Sequence, residues 1–394
     1  MARIAKVGGR RILNSRGQET IEVEMTTEGG ETVTASSPEG VSAGQYEARA
    51  ISVNLALARI DDIRPSIEGS SFGTQRDFDR FLLDADGTSD KSHLGANLTL
   101  ALSVAHIRAE AKGEGMPLWS YIREVMDLSK KTASLRLFSN MINGGLHGGG
   151  KLAFQEHIVV PRSLDLEMAI KQIGSIYAAE KTALKERYGP GATNVGDEGG
   201  FVPPMEDPLE PFVVMSAVCE QLGLTEDVDF ALDAAANEVS IPAGDLFALY
   251  ATLAEQFAMH AIEDPFEDVD FDNFALLKRQ LNSKADHVLI VGDDLTATNT
   301  ERMRLAKEKD SVNAVIIKPN QIGTVTEAIK AVRLAREYGW EVICSHRGGD
   351  TNDDFIADFA VGIMADGLKL GSPARGERVA KYNRLLKIAD DMAQ

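Results

Sequence analysis

Six short apolar runs in the second half of the chain each end in a residue able to do chemistry: FALDAAA, MHAIEDP, VLIVGDD, AVIIKPN, EVICSHR and DGLKLGS. The residues are Asp233, Glu263, Asp293, Lys318, His346 and Lys369, spaced 23 to 30 residues apart. One strand, one helix and their loops take up about that much chain. The rhythm predicts an α/β barrel, in which every strand delivers its C-terminal end to one shared face. Three carboxylates, a lysine, a histidine and a second lysine would then surround a single cavity.

A barrel of roughly 250 residues leaves part of the 394-residue chain for a second domain. The sequence is 44% hydrophobic and 26% charged, the balance of a globular protein with a full core. A net charge of −19 argues against a nucleic-acid or anionic-membrane partner. An anionic small molecule is still compatible with that charge if metal ions invert it locally. Cys219 and Cys344 are far apart and lack metal-ligand spacing, so both are expected to be reduced core thiols. The basic-punctuated N-terminus has no signal-peptide core, and no apolar run reaches membrane-spanning length, so the expectation is a cytoplasmic protein.

Near the N-terminus Ile21, Val23 and Met25 alternate with Glu22 and Glu24, and Glu28-Gly29-Gly30-Glu31 supplies a turn into a return strand from Thr32. Helical patterning runs from about Ile51 to Tyr121. Strands followed by helices predict a small α+β domain. Residues 126 to 135, MDLSKKTASL, are polar and without period. They place an α+β cap at residues 1–128 and the barrel at 136–394. Within the barrel, residues 165 to 188 read as a helix with Ile170, Ile173, Tyr177 and Leu184 on one face, stopped by Gly189-Pro190. Thr324, with Glu327 three residues on, reads as a capping box for another helix closed by Gly339.

Asp233, Glu263 and Asp293 sit on three successive predicted strand ends. Any one of them alone is as easily a helix cap or turn former. Three in register point instead to a site for Mg²⁺, which takes hard oxygen ligands and keeps positions open for water or substrate. Lys318 and Lys369 fall on the same face, and crowding by cations is expected to lower the pKa of Lys318 and make it a base. Ser345-His346-Arg347-Gly348-Gly349 supplies an arginine and bare amides suited to a phosphate. Two glycine-rich loops, residues 143 to 150 and 194 to 200, lack the spacing of a P-loop or dinucleotide fingerprint. They bring Glu156 and Glu198 toward the cavity as candidate general acids.

With these residues in view, the chain resembles the enolase (phosphopyruvate hydratase) family over nearly its whole length. The resemblance rests on NSRG at 14 to 17, the GxSxG loop at 40 to 44, INGGxH at 142 to 147, KLAFQE at 151 to 156 and NVGDEGG at 194 to 200. It continues through IEDPF at 262 to 266, GDDLTATN at 292 to 299, KPNQIGT at 318 to 324, SHR at 345 to 347 and ERVAKYNRLL at 377 to 386. What it implies is a cap on a modified (β/α)8 barrel opening ββαα, and a hydro-lyase interconverting 2-phospho-D-glycerate and phosphoenolpyruvate in glycolysis and gluconeogenesis. It further implies two Mg²⁺ per site, the first on Asp233, Glu263 and Asp293 and the second joined by Ser42. Lys318 would take the C2 proton, and Glu198, assisted by Glu156, would protonate the departing C3 hydroxyl. Lys369 would face the substrate carboxylate, and His147, Gln155, His346, Arg347 and Gly348 would line the substrate. Glu198 would then start protonated, which a second carboxylate nearby favours. A homodimer or larger homo-oligomer is the family's assembly.

Where the family usually has Ser-Gly-Glu after SHR, this chain has Gly348-Gly349-Asp350, which removes a hydroxyl facing the phosphate. Glu39 stands where serine is usual, the segment after Glu47 is short, and Asn14 and Gln18 replace the common Asp and Asn. These departures touch phosphate recognition and leave the acid–base and metal positions intact. They motivate an alternative substrate, a related phosphonate or modified phospho-carboxylic acid of the phosphonopyruvate hydratase or carboxyphosphonoenolpyruvate synthase type. A non-catalytic scaffold is disfavoured because every candidate catalytic side chain is present.

Overall fold

The computed structural model describes residues 3–40, 44–125, 135–282 and 288–393. Its first part is a three-stranded antiparallel sheet of β1 (Ile4–Leu13), β2 (Glu19–Thr27) and β3 (Thr32–Ser36), in that order. Ile21, Val23 and Met25 all point inward from β2, as their alternation predicts. Four helices follow: α1 (Val53–Ile67) and α3 (Ala96–Gly113) pack on the sheet, and α2 (Gln75–Asp86) and α4 (Leu118–Val125) pack against α3. The boundary expected at residues 126 to 135 falls, apart from Leu135, outside the described residues.

Eight strands then close a barrel: β4 (Arg136–Asn143), β5 (Glu156–Pro161), β6 (Val228–Asp233), β7 (Met259–Glu263), β8 (Leu289–Gly292), β9 (Ala314–Ile317), β10 (Glu341–Ser345) and β11 (Gly367–Lys369). β5 runs antiparallel to both β4 and β6, and every other neighbouring pair is parallel. A one-turn α5 (Gly145–Gly148) separates β4 from β5, and α6 (Leu166–Tyr188) and α7 (Glu210–Gln221) follow β5, the ββαα opening. Regular units supply α8 (Ala243–Gln256), α9 (Phe271–Leu281), α10 (Thr300–Glu308), the short α11 (Pro319–Ile322) and α12 (Val325–Glu337). The chain ends with α13 (Phe355–Gly362) and α14 (Gly376–Ala393).

Alternate strand residues divide between two cores. Phe138, Ile158, Ala231, Val291, Ile316 and Ile343 fill the barrel's centre, while Leu137, Val159, Leu232, Ile290, Val315 and Val342 face the helices. The barrel is therefore a packed plug, open to chemistry only at its rim. Both cysteines are buried free thiols, Cys344 on the outer face of β10 and Cys219 on the buried face of α7. Asp165 caps α6 by accepting from the Met168 N–H, and Gly189 closes it at φ +84°. Thr324 caps α12 as expected, but the Glu327 carboxylate accepts from the Thr324 hydroxyl (2.7 Å) and from Lys91 of the cap (3.0 Å).

Candidate active site

The carboxyl ends of the barrel strands bring the predicted residues to one rim. Asp233 ends β6, Glu263 ends β7, Lys369 ends β11, and Asp293, Lys318 and His346 each follow the last residue of β8, β9 and β10. Glu156 opens β5, and because that strand is reversed its first residue lies at the same rim. Register pairs Asn143 with Glu156, Glu156 with Asp233, and Asp233 with Glu263, so three acids stand shoulder to shoulder. In the ring of eight, β9 is four strands from β5, so Lys318 and Glu156 face each other across the mouth. A cavity of about 160 Å³ lies between them, lined also by Gln155, His147, Glu198, Arg347 and Gly348.

Two ammonium groups balance the acids. Lys369 Nζ lies 2.7 Å from Glu263 Oε2, 3.0 Å from Asp233 Oδ2 and 3.4 Å from Glu156 Oε1, and Lys318 is hydrogen-bonded to Asp293. Burial pulls the Lys369 pKa down, but Asp233, Glu156 and Glu263 outweigh it and hold it well above its ordinary value. Burial also pulls Lys318 down, yet Asp293 beside it leaves its pKa raised. In the protein alone the neighbour that decides is the anion in contact, Asp293, and the lowering expected from the sequence belongs to a site in which cations draw that anion away.

The acid pair is likewise inverted. Burial, and then Glu198, push Glu156 up to about 8. Glu198 is held well below the carboxylate range, because His346 and His147 outweigh its burial. His147 Nδ1 lies 3.6 Å from Glu198 Oε2 and His346 Nε2 lies 3.4 Å from Glu198 Oε1. In the protein alone it is thus the Glu156 carboxyl, not that of Glu198, that is pushed upward. Two histidines reached from separate loops make the difference, and a reading confined to the two carboxylates misses them. Gly371, at φ +73°, lets the chain pass under Glu198: a Cβ there would meet the Glu198 carbonyl at 2.7 Å and the His346 ring at 2.9 Å.

Oxygen atoms of Glu263, Asp264 and Asp293 lie within 4.8 Å of one another, and Glu263 Oε1 is buried with no hydrogen-bond partner. An orphaned carboxylate oxygen in a cluster of hard donors fits a divalent cation. Asp264 escaped the sequence reading, although it adjoins Glu263. Its carboxylate accepts from the Asp293 N–H (3.1 Å) and the Asp294 N–H (2.7 Å), and so fixes the turn that presents Asp293. Ser42, expected to join a second ion, lies outside the described residues. The amides of the 345–350 loop are less bare than expected. Those of Arg347, Gly349 and Asp350 donate to Asp350, Glu39 and Ser15, which leaves the Gly348 N–H outside these bonds.

Residues 4–122 match the family model described as the enolase N-terminal domain, and residues 136–241 and 238–394 match that of the enolase C-terminal TIM barrel domain. The chain belongs to the enolase family. It is 42% identical to the enolase of Methanopyrus kandleri over 423 aligned residues, which cover 100% of this chain and 97% of that one. It is 38% identical to the enolase of Thermococcus kodakarensis and 36% identical to that of Methanocaldococcus jannaschii, each over 99% of this chain and 95% of the relative. The cap and the barrel are thus matched as two parts, in that order.

Proposed function

We propose that this chain is a phosphopyruvate hydratase, a lyase that reversibly dehydrates 2-phospho-D-glycerate to phosphoenolpyruvate. The observation that carries the reading is Lys318 and the Glu156/Glu198 pair facing each other across one acid-lined cavity, in a member of the enolase family. An anti elimination needs a base on one face of the substrate and an acid on the other.

Lys318, once its amine has given up the proton it shares with Asp293, takes the C2 proton, and Glu198 with Glu156 delivers a proton to the C3 hydroxyl as it leaves. The proton held on Glu156 is the one available to that relay. Lys369 pairs with the substrate carboxylate, while Arg347, the Gly348 N–H, His346, His147 and Gln155 orient the phosphate and the carbon chain. Asp233, Glu263 and Asp293 would hold a divalent ion, and Ser42 would join a second. When bound, two Mg²⁺ supply Lewis-acid stabilisation of the negative charge that gathers on the carboxylate as C2 loses its proton. A homo-oligomer, dimeric or larger, in the cytoplasm, with the chain divided at 1–128 and 136–394, completes the reading. No described helix is long and apolar enough to cross a membrane.

The relatives compared are enolases, and nothing in them favours the phosphonate alternative. The test follows phosphoenolpyruvate absorbance on adding 2-phospho-D-glycerate, with Mg²⁺ and then with excess chelator. Turnover that stops on chelation and returns with Mg²⁺ is expected. Turnover on a phosphonate analogue with none on 2-phospho-D-glycerate overturns the assignment.

A further inference from the structure

Among the described residues Arg347 is the one guanidinium lining the cavity, and a carboxylate from the cap already holds it. Glu47 accepts through both oxygens, Oε2 from Arg347 Nη1 at 3.0 Å and Oε1 from Nη2 at 3.1 Å. Asn320 Oδ1 takes a second bond from Nη1 at 3.2 Å. Both side chains of the ion pair are buried, 6% exposed for Arg347 and 10% for Glu47. Three of the five guanidinium hydrogens are thus committed, and the edge made by Nε and the other Nη2 hydrogen remains for a ligand.

The segment carrying Glu47 is pinned by more than this pair. Tyr46 lays its ring over the Arg302 guanidinium at 3.7 Å, and Arg302 is in turn tied to the Leu295 carbonyl at 2.7 Å. Ala48 donates to the Gln321 carbonyl at 2.8 Å. Glu47 therefore sits on a rigid mount. Without it, Arg347 has competing anions in the same cavity, Asp293 and Asp294, whose charges already act on it. A guanidinium drawn toward them would turn its free edge away from an incoming phosphate.

We propose that Glu47 is a positioning residue for substrate binding, fixing the plane of Arg347 so that its Nε edge meets the phosphate and not the acids of the metal cluster. This rests on the reading of Arg347 as a phosphate ligand. Because the pair forms whether or not chemistry proceeds, Glu47 acts on binding more than on the chemical step.

Three variants, Glu47→Gln, Glu47→Asp and Arg347→Lys, are measured for kcat and KM with 2-phospho-D-glycerate. Phosphoenolpyruvate Kd is measured by titration calorimetry on the full Mg²⁺-loaded protein. Glu47→Gln keeps one acceptor and loses the charge, so KM and Kd should rise about tenfold while kcat falls less than about threefold. Glu47→Asp keeps both oxygens on a shorter stem and should fall between, and it carries the test by the same readouts if the Gln variant does not fold. In the Arg347→Lys background Glu47→Gln should add almost nothing, since the effect passes through the fork that lysine lacks. If Arg347→Lys weakens phosphoenolpyruvate binding but the Glu47 variants leave KM and Kd at parent values, the positioning role is wrong and the phosphate reading survives. If Arg347→Lys itself leaves Kd unchanged, the phosphate reading fails and the role of Glu47 falls with it.

Discussion

Lys318 and Asp293 are in contact, so the proposed general base is presented as half of an ion pair. Cutting Lys318 back to alanine removes the amine and frees Asp293 Oδ2 without touching Glu263 or Asp233. A general base contributes roughly 10²–10⁴-fold, and kcat of Lys318→Ala is expected to fall by at least that much. Divalent affinity, read by titration calorimetry, should hold or tighten, because a cation competing for Asp293 has gone. Turnover near the parent rate removes Lys318 from the mechanism. Weakened metal binding would instead mean that the amine supports the acid cluster.

At the scale of elements, α6 carries a side chain that its packing does not explain. Ile173, Ile176 and Leu184 put one stripe of the helix into the core, and Glu180 falls on the same stripe. It is fully buried, and neither carboxylate oxygen has a hydrogen-bond partner. Tyr177 on the same helix and Cys219 on α7 are the titratable groups its charge reaches. Burial pushes its pKa from 4.5 to about 8. The folded state therefore keeps a proton that the unfolded chain gives up. This group's contribution is complete below the unfolded pKa of 4.5 and is lost as pH rises through about 8. Glu180→Leu has similar bulk and nothing to protonate. It should unfold at higher temperature than the parent, with a gap that widens between pH 5 and pH 8 by about 1 kcal/mol per unit. A gap independent of pH would show that burial of the acid is not what destabilises this seam.

The same helix shows what the sequence could and could not convey. Its caps, Asp165 and Gly189, and its apolar period are local signals, as are the six strand ends whose spacing forecast the rim. Glu180 carries no such signal, because a charged letter on the apolar stripe reads as a break in the pattern. The proton on Glu156 was hidden for a related reason. It depends on the burial of Glu156 and on a charged Glu198, which His147 and His346 approach from stretches far apart in the chain. Glu47 and Arg347 are separated by 300 residues, and only the docked cap brings them together.

For the molecule as a whole, the docking of cap on barrel is an ionic seam as much as an apolar one. Arg108 on α3 makes a two-pronged bond to Asp353, Nη1 to Oδ2 at 2.7 Å and Nη2 to Oδ1 at 2.8 Å, and Nη1 also reaches the Thr34 carbonyl at 2.7 Å. Ser36 at the end of β3 donates its N–H to the same Asp353 carboxylate at 2.9 Å. Asp353 lies a few residues beyond His346 and Arg347, so the seam that seats the cap also anchors the loop that presents them.

Burial pushes the Asp353 pKa up, but Arg108 outweighs it and holds the carboxyl below its ordinary value. Its contribution is present above the unfolded carboxylate pKa and is lost as pH falls through the depressed folded value. Arg108→Met keeps the length of the side chain and strands Asp353 in the seam. Breaking a buried pair on one side costs about 3–5 kcal/mol, so chemical unfolding near pH 7 should show a loss of that order. The deficit should shrink on acidification, where the parent also loses the pair. Adding Asp353→Leu removes the stranded charge and should recover much of the stability, because apolar groups can replace a buried ion pair at little net cost. If the double variant is no better than Arg108→Met alone, the desolvated carboxylate is not the source of the loss. The bonds that Asp353 makes to the Ser36 and Phe355 amides would then be what seats the cap, with the arginine serving chiefly to keep that carboxylate charged.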